Sequence, residues 1–210
     1  MLDQKTDYTE GLRLFYLKKY GEALPLLLRA AEAGDGKAQH FVAMLYENGS
    51  GVARDLEKAA HWYRRTAESG DREAMLTYAM LSALGKGTDA DLADACHWAT
   101  RSLHSGNEKA RQTLSILRSQ AQDAVAAATE AFSAAHQAGN AGEALRQLRV
   151  AAECGSAGAQ FALFQLLYDG QGDDVPADRV AALLWLRDAA EQGHAEAKSL
   201  LAAYTGEGQA

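Results

Sequence analysis

A glycine followed at once by a small polar residue recurs along this chain. It appears as Gly34-Asp35, Gly70-Asp71, Gly106-Asn107 and Gly155-Ser156, and with a histidine in second place at Gly193-His194. Successive glycines lie 36, 36, 49 and 38 residues apart. Glycine just past a helix end takes the left-handed conformation that closes the last turn. Asp, Asn or Ser immediately after it can cap the next helix by accepting a hydrogen bond from a free backbone N–H. A stop-and-restart signal at a near-constant period marks an array of helical repeats, which cannot hold together as isolated units.

The period survives direct superposition. Residues 37–72 laid on 73–108 without a gap match at 14 of 36 positions, among them Ala43/Ala79, Met44/Met80, Gly51/Gly87, Asp55/Asp91, Trp62/Trp98 and Arg65/Arg101. A second self-match links 21–39 to 142–160 with 11 identities in 19. Its offset of 121 residues is three periods of 36 plus 13, about one helix of extra chain, so the array is interrupted once, between 107 and 141.

The residues of one unit give its anatomy. Small and apolar residues at helical spacing in KAQHFVAMLYEN predict a first helix, ended by Gly49-Ser50-Gly51. Asp55 is placed to cap a second helix that carries Leu56, Ala59, Ala60, Tyr63 and Ala67 along one stripe, with Trp62 at its edge. Charged Glu57, Lys58, Arg64, Arg65 and Glu68 fall largely elsewhere, as on a solvated face. Such a pair buries its apolar stripe only by stacking on the next pair.

These residues resemble the Sel1-like repeat, a relative of the tetratricopeptide repeat. The pattern of that family is met by Ala38, Tyr46, Gly49, Gly51, Val52, Asp55, Lys58, Ala59, Trp62, Tyr63, Ala67, Glu68 and Gly70. A later unit meets it through Ala159, Tyr168, Gly170, Gly172, Asp178, Ala182, Trp185, Ala189, Ala190, Glu191, Gln192 and Gly193, with a two-residue insertion in its loop. The unit 72–106 departs from it at Ser82 and Ala99, where the pattern has tyrosine. The resemblance implies an all-α, right-handed α-solenoid of stacked antiparallel helix pairs, about five pairs plus capping helices.

The divisions expected on this basis are a first block, 1–121, and a second, 122–210. The first holds a tetratricopeptide-like pair (3–34), Sel1-like repeats 36–70 and 72–106, and a capping helix 108–121. The second holds a pair 122–155, a repeat 157–193 and a capping helix 195–205. Pro25 is expected near the start of its helix, where a missing N–H does little harm. Residues 107–138 contain neither glycine nor proline. As one helix they would run about 48 Å at 1.5 Å per residue; they are read instead as a helix 108–120 that caps the first three units and a helix 122–138 that opens a new pair, with a bend near Ser119-Gln120 equally allowed.

Charge and composition narrow the function classes. A net charge of −7 argues against nucleic acid, since phosphate neutralisation needs clustered Lys and Arg. No apolar run approaches the length of a membrane span. The first residues, MLDQKTDYTEG, lack the basic-then-apolar pattern of a leader, so a native start at Met1 places the chain in the cytoplasm. Members of the resembled family are often exported, and a leader removed upstream would place the same chain in the periplasm or outside the cell.

Catalytic and metal motifs are missing from the sequence. His61 and His97 occupy the same position of adjacent units, whose helices stack about 10 Å apart, too far for one zinc ion. Asp169, Asp173, Asp174 and Asp178 lack the calcium-loop spacing and its terminal glutamate, and read as a solvated loop. Cys96 and Cys154 lie in second helices of different units and read as small buried thiols. No cofactor or metal is expected. The resemblance implies adaptor work: binding another protein or peptide, including immunity proteins that neutralise a toxin. Its alternative implication is a hydrolase, since some relatives have been proposed to open β-lactams, but no serine here is followed three residues later by lysine.

In tetratricopeptide-like arrays the first helix of each pair lines the concave surface. Aligning Gly11, Ala43 and Ala79 places Leu12, Met44 and Met80 at equivalent positions, with Tyr8, His40 and Leu76 one turn earlier. These six form the expected partner-binding row. Packing of the same side chains across a tightly wound groove is the competing reading.

Overall fold

The computed structural model describes residues 3–170 and 176–205. Among the described residues there are twelve helices and no strand. They are α1 (Asp3–Tyr16), α2 (Tyr20–Glu32), α3 (Gly36–Asn48), α4 (Leu56–Glu68), α5 (Arg72–Leu84), α6 (Leu92–His104), α7 (Ala110–Gln120), α8 (Gln122–Gln137), α9 (Ala141–Glu153), α10 (Ala157–Asp169), α11 (Arg179–Glu191) and α12 (Ala195–Thr205). No helix among them is long and apolar enough to cross a membrane. The expected helix pairs are present as α1/α2, α3/α4, α5/α6, α8/α9 and α10/α11.

The chain divides into two compact units, Met1–Leu114 and Ser115–Ala210. In the first, each helix from α1 to α6 packs on the next. In the second, α8 to α12 do the same. The glycine-free stretch 107–138 is two helices, not one, parted at the buried Ala121, whose backbone (φ −90°, ψ 21°) leaves the helical region.

The punctuation read from sequence has a physical counterpart at most of the boundaries. Asp35 accepts from the N–H groups of Lys37 and Ala38 at 2.9 and 3.0 Å, and Asp71 from Ala74 at 2.8 Å. Asp55, Asp91, Ser156 and Asp178 cap their helices in the same way. His194 joins them, its Nδ1 accepting from the Ala197 N–H at 3.3 Å. Asn107 departs from the pattern. Its amide donates to the Arg72 carbonyl and the Ser102 hydroxyl, so it ties the end of α6 to the start of α5. Pro25 also departs: α2 begins at Tyr20, which places the proline in the second turn, unable to donate to the Gly21 carbonyl. The helix persists because Ala23, Leu24 and Leu27, on either side of it, are all buried.

The Gly-x-Gly loop owes its second glycine to the preceding repeat. A Cβ on Gly87 would stand 1.9 Å from the Leu56 carbonyl oxygen, and one on Gly51 would stand 2.4 Å from the Gly21 backbone nitrogen. The loop that joins one helix pair therefore rests directly on the first turn of the previous pair's second helix. Gly70, by contrast, has φ +100° but nothing within 4 Å of a Cβ. Gly70→Ala is expected to cost only the left-handed strain, about 1–2 kcal/mol. Gly87→Ala should add backbone overlap, about 2–5 kcal/mol in total. Urea unfolding of the two variants checks this, and equal losses would show that the seat is unimportant.

The three tryptophans are core residues, with Trp62, Trp98 and Trp185 only 7, 4 and 6 % exposed. Arg65 and Arg101 lie over the Trp62 and Trp98 rings, each 4.9 Å from the ring centre. The tyrosines missing at Ser82 and Ala99 are offset by Tyr78, which meets Trp98 edge-on at 5.8 Å. The Ser82 hydroxyl is turned to polar use, bonding the Asp91 carbonyl and the Asp94 carboxylate.

Candidate partner-binding face

The expected row lies entirely in the first unit, on α1, α3 and α5. Adjacent first helices meet through aromatic rings: Phe15 of α1 packs against Phe41 of α3 at 4.8 Å, and Tyr16 approaches Phe41 at 6.5 Å. Tyr8, Leu12, His40 and Met44 are half-buried. Leu76 is 9 % exposed and packs inward, whereas Met80 is 48 % exposed. Only on α5 does burial part the row, into an inward Leu76 and an outer edge at Met80, while the four residues on α1 and α3 share one intermediate burial.

That edge runs further than the aligned positions indicated. Tyr16 is 71 % and Leu84 60 % exposed. They stand four residues beyond Leu12 and Met80, one turn along the same helix faces. The third member of this register is Asn48, whose amide donates back to the Met44 carbonyl at 2.9 Å. The sequence carried the signal in its i, i+4 spacing, since both residues continue the stripe begun by Tyr8-Leu12 and Leu76-Met80.

Two phenols at or beside this face are pushed above their ordinary values, in each case chiefly by burial. Burial, then the Asp35 carboxylate and Tyr16, push the Tyr8 hydroxyl above its ordinary value. Burial also pushes Tyr63 up, reinforced by the Glu47 carboxylate, which accepts its hydroxyl hydrogen bond at 2.8 Å. His40 is wedged between Phe41 and Tyr63, at 6.2 and 5.7 Å between ring centres. Its Nδ1 is buried with no protein hydrogen-bond partner.

The other residues singled out by sequence serve the scaffold. His61 and His97 each meet the following tryptophan edge-on, at 5.6 and 5.3 Å. Among the described residues no group of three or more His, Cys, Asp or Glu could hold a metal ion. Cys96 and Cys154 are buried thiols. Asp178 caps α11, while Gly172, Asp173 and Asp174 lie outside the described residues.

Repeated helix pairs closed by left-handed glycines and seated through Gly-x-Gly loops define a helical-repeat scaffold. The profile of the Sel1 repeat matches residues 8–35, 36–71, 72–107 and 157–194. That is more than half of the chain, and the protein belongs to the Sel1 repeat family. Its first matched segment takes in α2 and the later part of α1, which lack the Gly-x-Gly loop, while α7, α8, α9 and α12 lie outside every matched segment. Among solved structures the chain is similar to a Sel1 repeat protein from Oxalobacter formigenes, at 24 % identity over 94 % of this chain and 77 % of that one, with a TM-score of 0.51. A protective antigen present in uropathogenic Escherichia coli strains, with an SLR fold, is similar at 23 % identity and a TM-score of 0.53. That match covers 95 % of this chain and 48 % of the antigen, so the chain spans about half of its length. Both likenesses concern the fold. No curated protein matches the sequence.

Proposed function

We propose that the chain is a non-catalytic binding scaffold, a bacterial adaptor or immunity-type protein, that grips a partner protein on the face formed by Leu12, Tyr16, Met44, Met80 and Leu84. The observation that carries this reading is the exposure of Tyr16, Met80 and Leu84, 71, 48 and 60 %, on first helices at related register positions. Scattered exposed apolar residues need no explanation, but a row in register is a candidate contact surface. Each square ångström of apolar surface covered by a partner favours association by about 25 cal/mol before the costs of binding. Methionine suits such a surface because its unbranched thioether adapts to different shapes.

The test is a calorimetric titration against the protein encoded next to this one in its genome. The expected result is a stoichiometric complex, weakened roughly 10–100-fold by Met80→Glu with Leu84→Glu, while the melting temperature stays within about 3 °C of the parent. Met44→Glu should weaken the complex further, with a larger thermal cost because Met44 is half-buried. A large fall in stability from Met80→Glu would assign the row to the core. Turnover of a β-lactam by the purified chain would overturn the non-catalytic assignment.

A further inference from the structure

Helices α8, α9 and α10 reproduce α1, α2 and α3 at a constant offset. The helix ends Tyr16 and Gln137, Tyr20 and Ala141, Glu32 and Glu153, Gly36 and Ala157, and Asn48 and Asp169 all stand 121 residues apart. Side chains can therefore be compared position by position between two copies of one three-helix frame. In the second copy an open cavity of about 310 Å³ lies between α8, α9 and α10, bordered by Thr129, Phe132, Leu148, Ser156, Gly158 and Ala162. That is near the lower end of the volumes that hold ligands, roughly 300–1,000 Å³.

The comparison shows where this space comes from. Thr129, Gly158 and Ala162 stand where the first copy has Tyr8, Lys37 and Phe41. Two aromatic rings and one long side chain are thus absent from the border of the second frame. The first copy uses both rings: Phe41 packs on Phe15 at 4.8 Å, and Tyr8 lies close enough to Asp35 for the carboxylate to oppose its ionisation. Ser156, on the cavity border, is the counterpart of Asp35. A change in the opposite sense supplies a platform. Phe132 replaces Gly11, a position where even a Cβ would come within 2.9 Å of Leu27 Cγ, and it lines the cavity together with Leu148, the counterpart of Leu27.

The lining carries no charged side chain. Its two hydroxyls are already engaged: Thr129 donates to the Val125 carbonyl at 2.7 Å, and Ser156 accepts from the Ala159 N–H at 3.3 Å. What the cavity offers is apolar wall and the Phe132 ring, which suits offset or edge-on contact with a second ring.

We propose that this cavity receives a neutral aromatic side chain, tyrosine or phenylalanine, from a partner polypeptide, in the place of the rings that Tyr8 and Phe41 supply in the first copy. The proposal rests on reading the chain as a protein-binding scaffold but uses residues of the second unit only. It can fail while the α1/α3/α5 face stands, and the reverse.

Nuclear magnetic resonance titration of the full chain tests it, with p-cresol and the capped peptides acetyl-AAYAA-amide and acetyl-AAAAA-amide as probes. Saturable shifts confined to residues around 129–162 are expected from p-cresol and the tyrosine peptide, with a dissociation constant of about a millimolar, and none from the alanine peptide. Thr129→Tyr with Ala162→Phe, which restores the first copy's rings, should abolish them while the melting temperature holds or rises. Ala162→Leu gives the same reading should the double variant fail to fold. The absence of saturable shifts, or their persistence in every folded filled variant, overturns the site. Binding of p-cresol without the tyrosine peptide overturns the polypeptide as its source.

Discussion

Trp98→Ala is expected to lower stability by about 3–5 kcal/mol, the range for removing a large ring from a packed core. Trp98 is 4 % exposed, meets Tyr78 edge-on and lies under the Arg101 guanidinium. Its indole N–H donates to Asp94 at 3.1 Å, and the same carboxylate receives the Ser82 hydroxyl. Removing the indole therefore opens a cavity and takes one donor from a carboxylate that joins α5 to α6. Trp98→Phe separates the two effects, because it keeps most of the apolar volume and loses the donor. Denaturant unfolding should rank the parent above Trp98→Phe and Trp98→Phe well above Trp98→Ala. A loss below about 1 kcal/mol for Trp98→Ala would mean that the site collapses around the gap and that this ring is not what holds the third pair together.

Asp188→Ala should be comparably severe, for an electrostatic reason. Asp188 and Arg118 form an ion pair at 3.4 Å with side chains 2 and 9 % exposed. Arg118 Nε also donates to the Glu153 carbonyl at 3.1 Å, and its methylenes lie against Gly155, where a Cβ would come within 3.0 Å. Deleting the carboxylate leaves the guanidinium buried without its counter-ion, a change that costs about 3–5 kcal/mol in comparable pairs. Replacing both groups, Asp188→Leu with Arg118→Met, should recover most of that loss, because two uncharged side chains need no desolvation of charge. Thermal melts of the two singles and the double form a cycle that isolates the coupling. Additive losses would show that the charges do not depend on each other.

How far the fold could be read ahead of the structure differs from residue to residue. Asp35, Asp55, Asp71 and Ser156 act within three residues of their own position, so the local sequence contained all that their caps require. Asn107 looked the same and behaves otherwise: its amide N–H donates to the Arg72 carbonyl, 35 residues away, which holds the side chain against α5. The Arg118–Asp188 pair spans 70 residues and exists only once the helices have packed. One trace of it was nonetheless present: Asp188 stands three residues after Trp185, where Arg65 and Arg101 follow Trp62 and Trp98. A reversed charge at a repeated position is a sign that its neighbours there differ. The candidate face was legible as a register but not as a depth. Spacing placed Leu76 and Met80 on one stripe, while their burial, 9 and 48 %, depends on how closely neighbouring helices approach.

The Gly-x-Gly seat gives the first unit a direction. Gly51 rests on residues 20–21, and Gly87 rests on residues 56–57. In both cases the supporting backbone lies earlier in the chain than the loop it supports. A ribosome delivers the chain from its first residue onward, and domains form in that order. Each loop thus emerges to find its support already synthesised, and nothing downstream is needed to receive it. Growth of the array by one further helix pair would need, beside an apolar stripe to stack, a glycine able to sit on the last pair made.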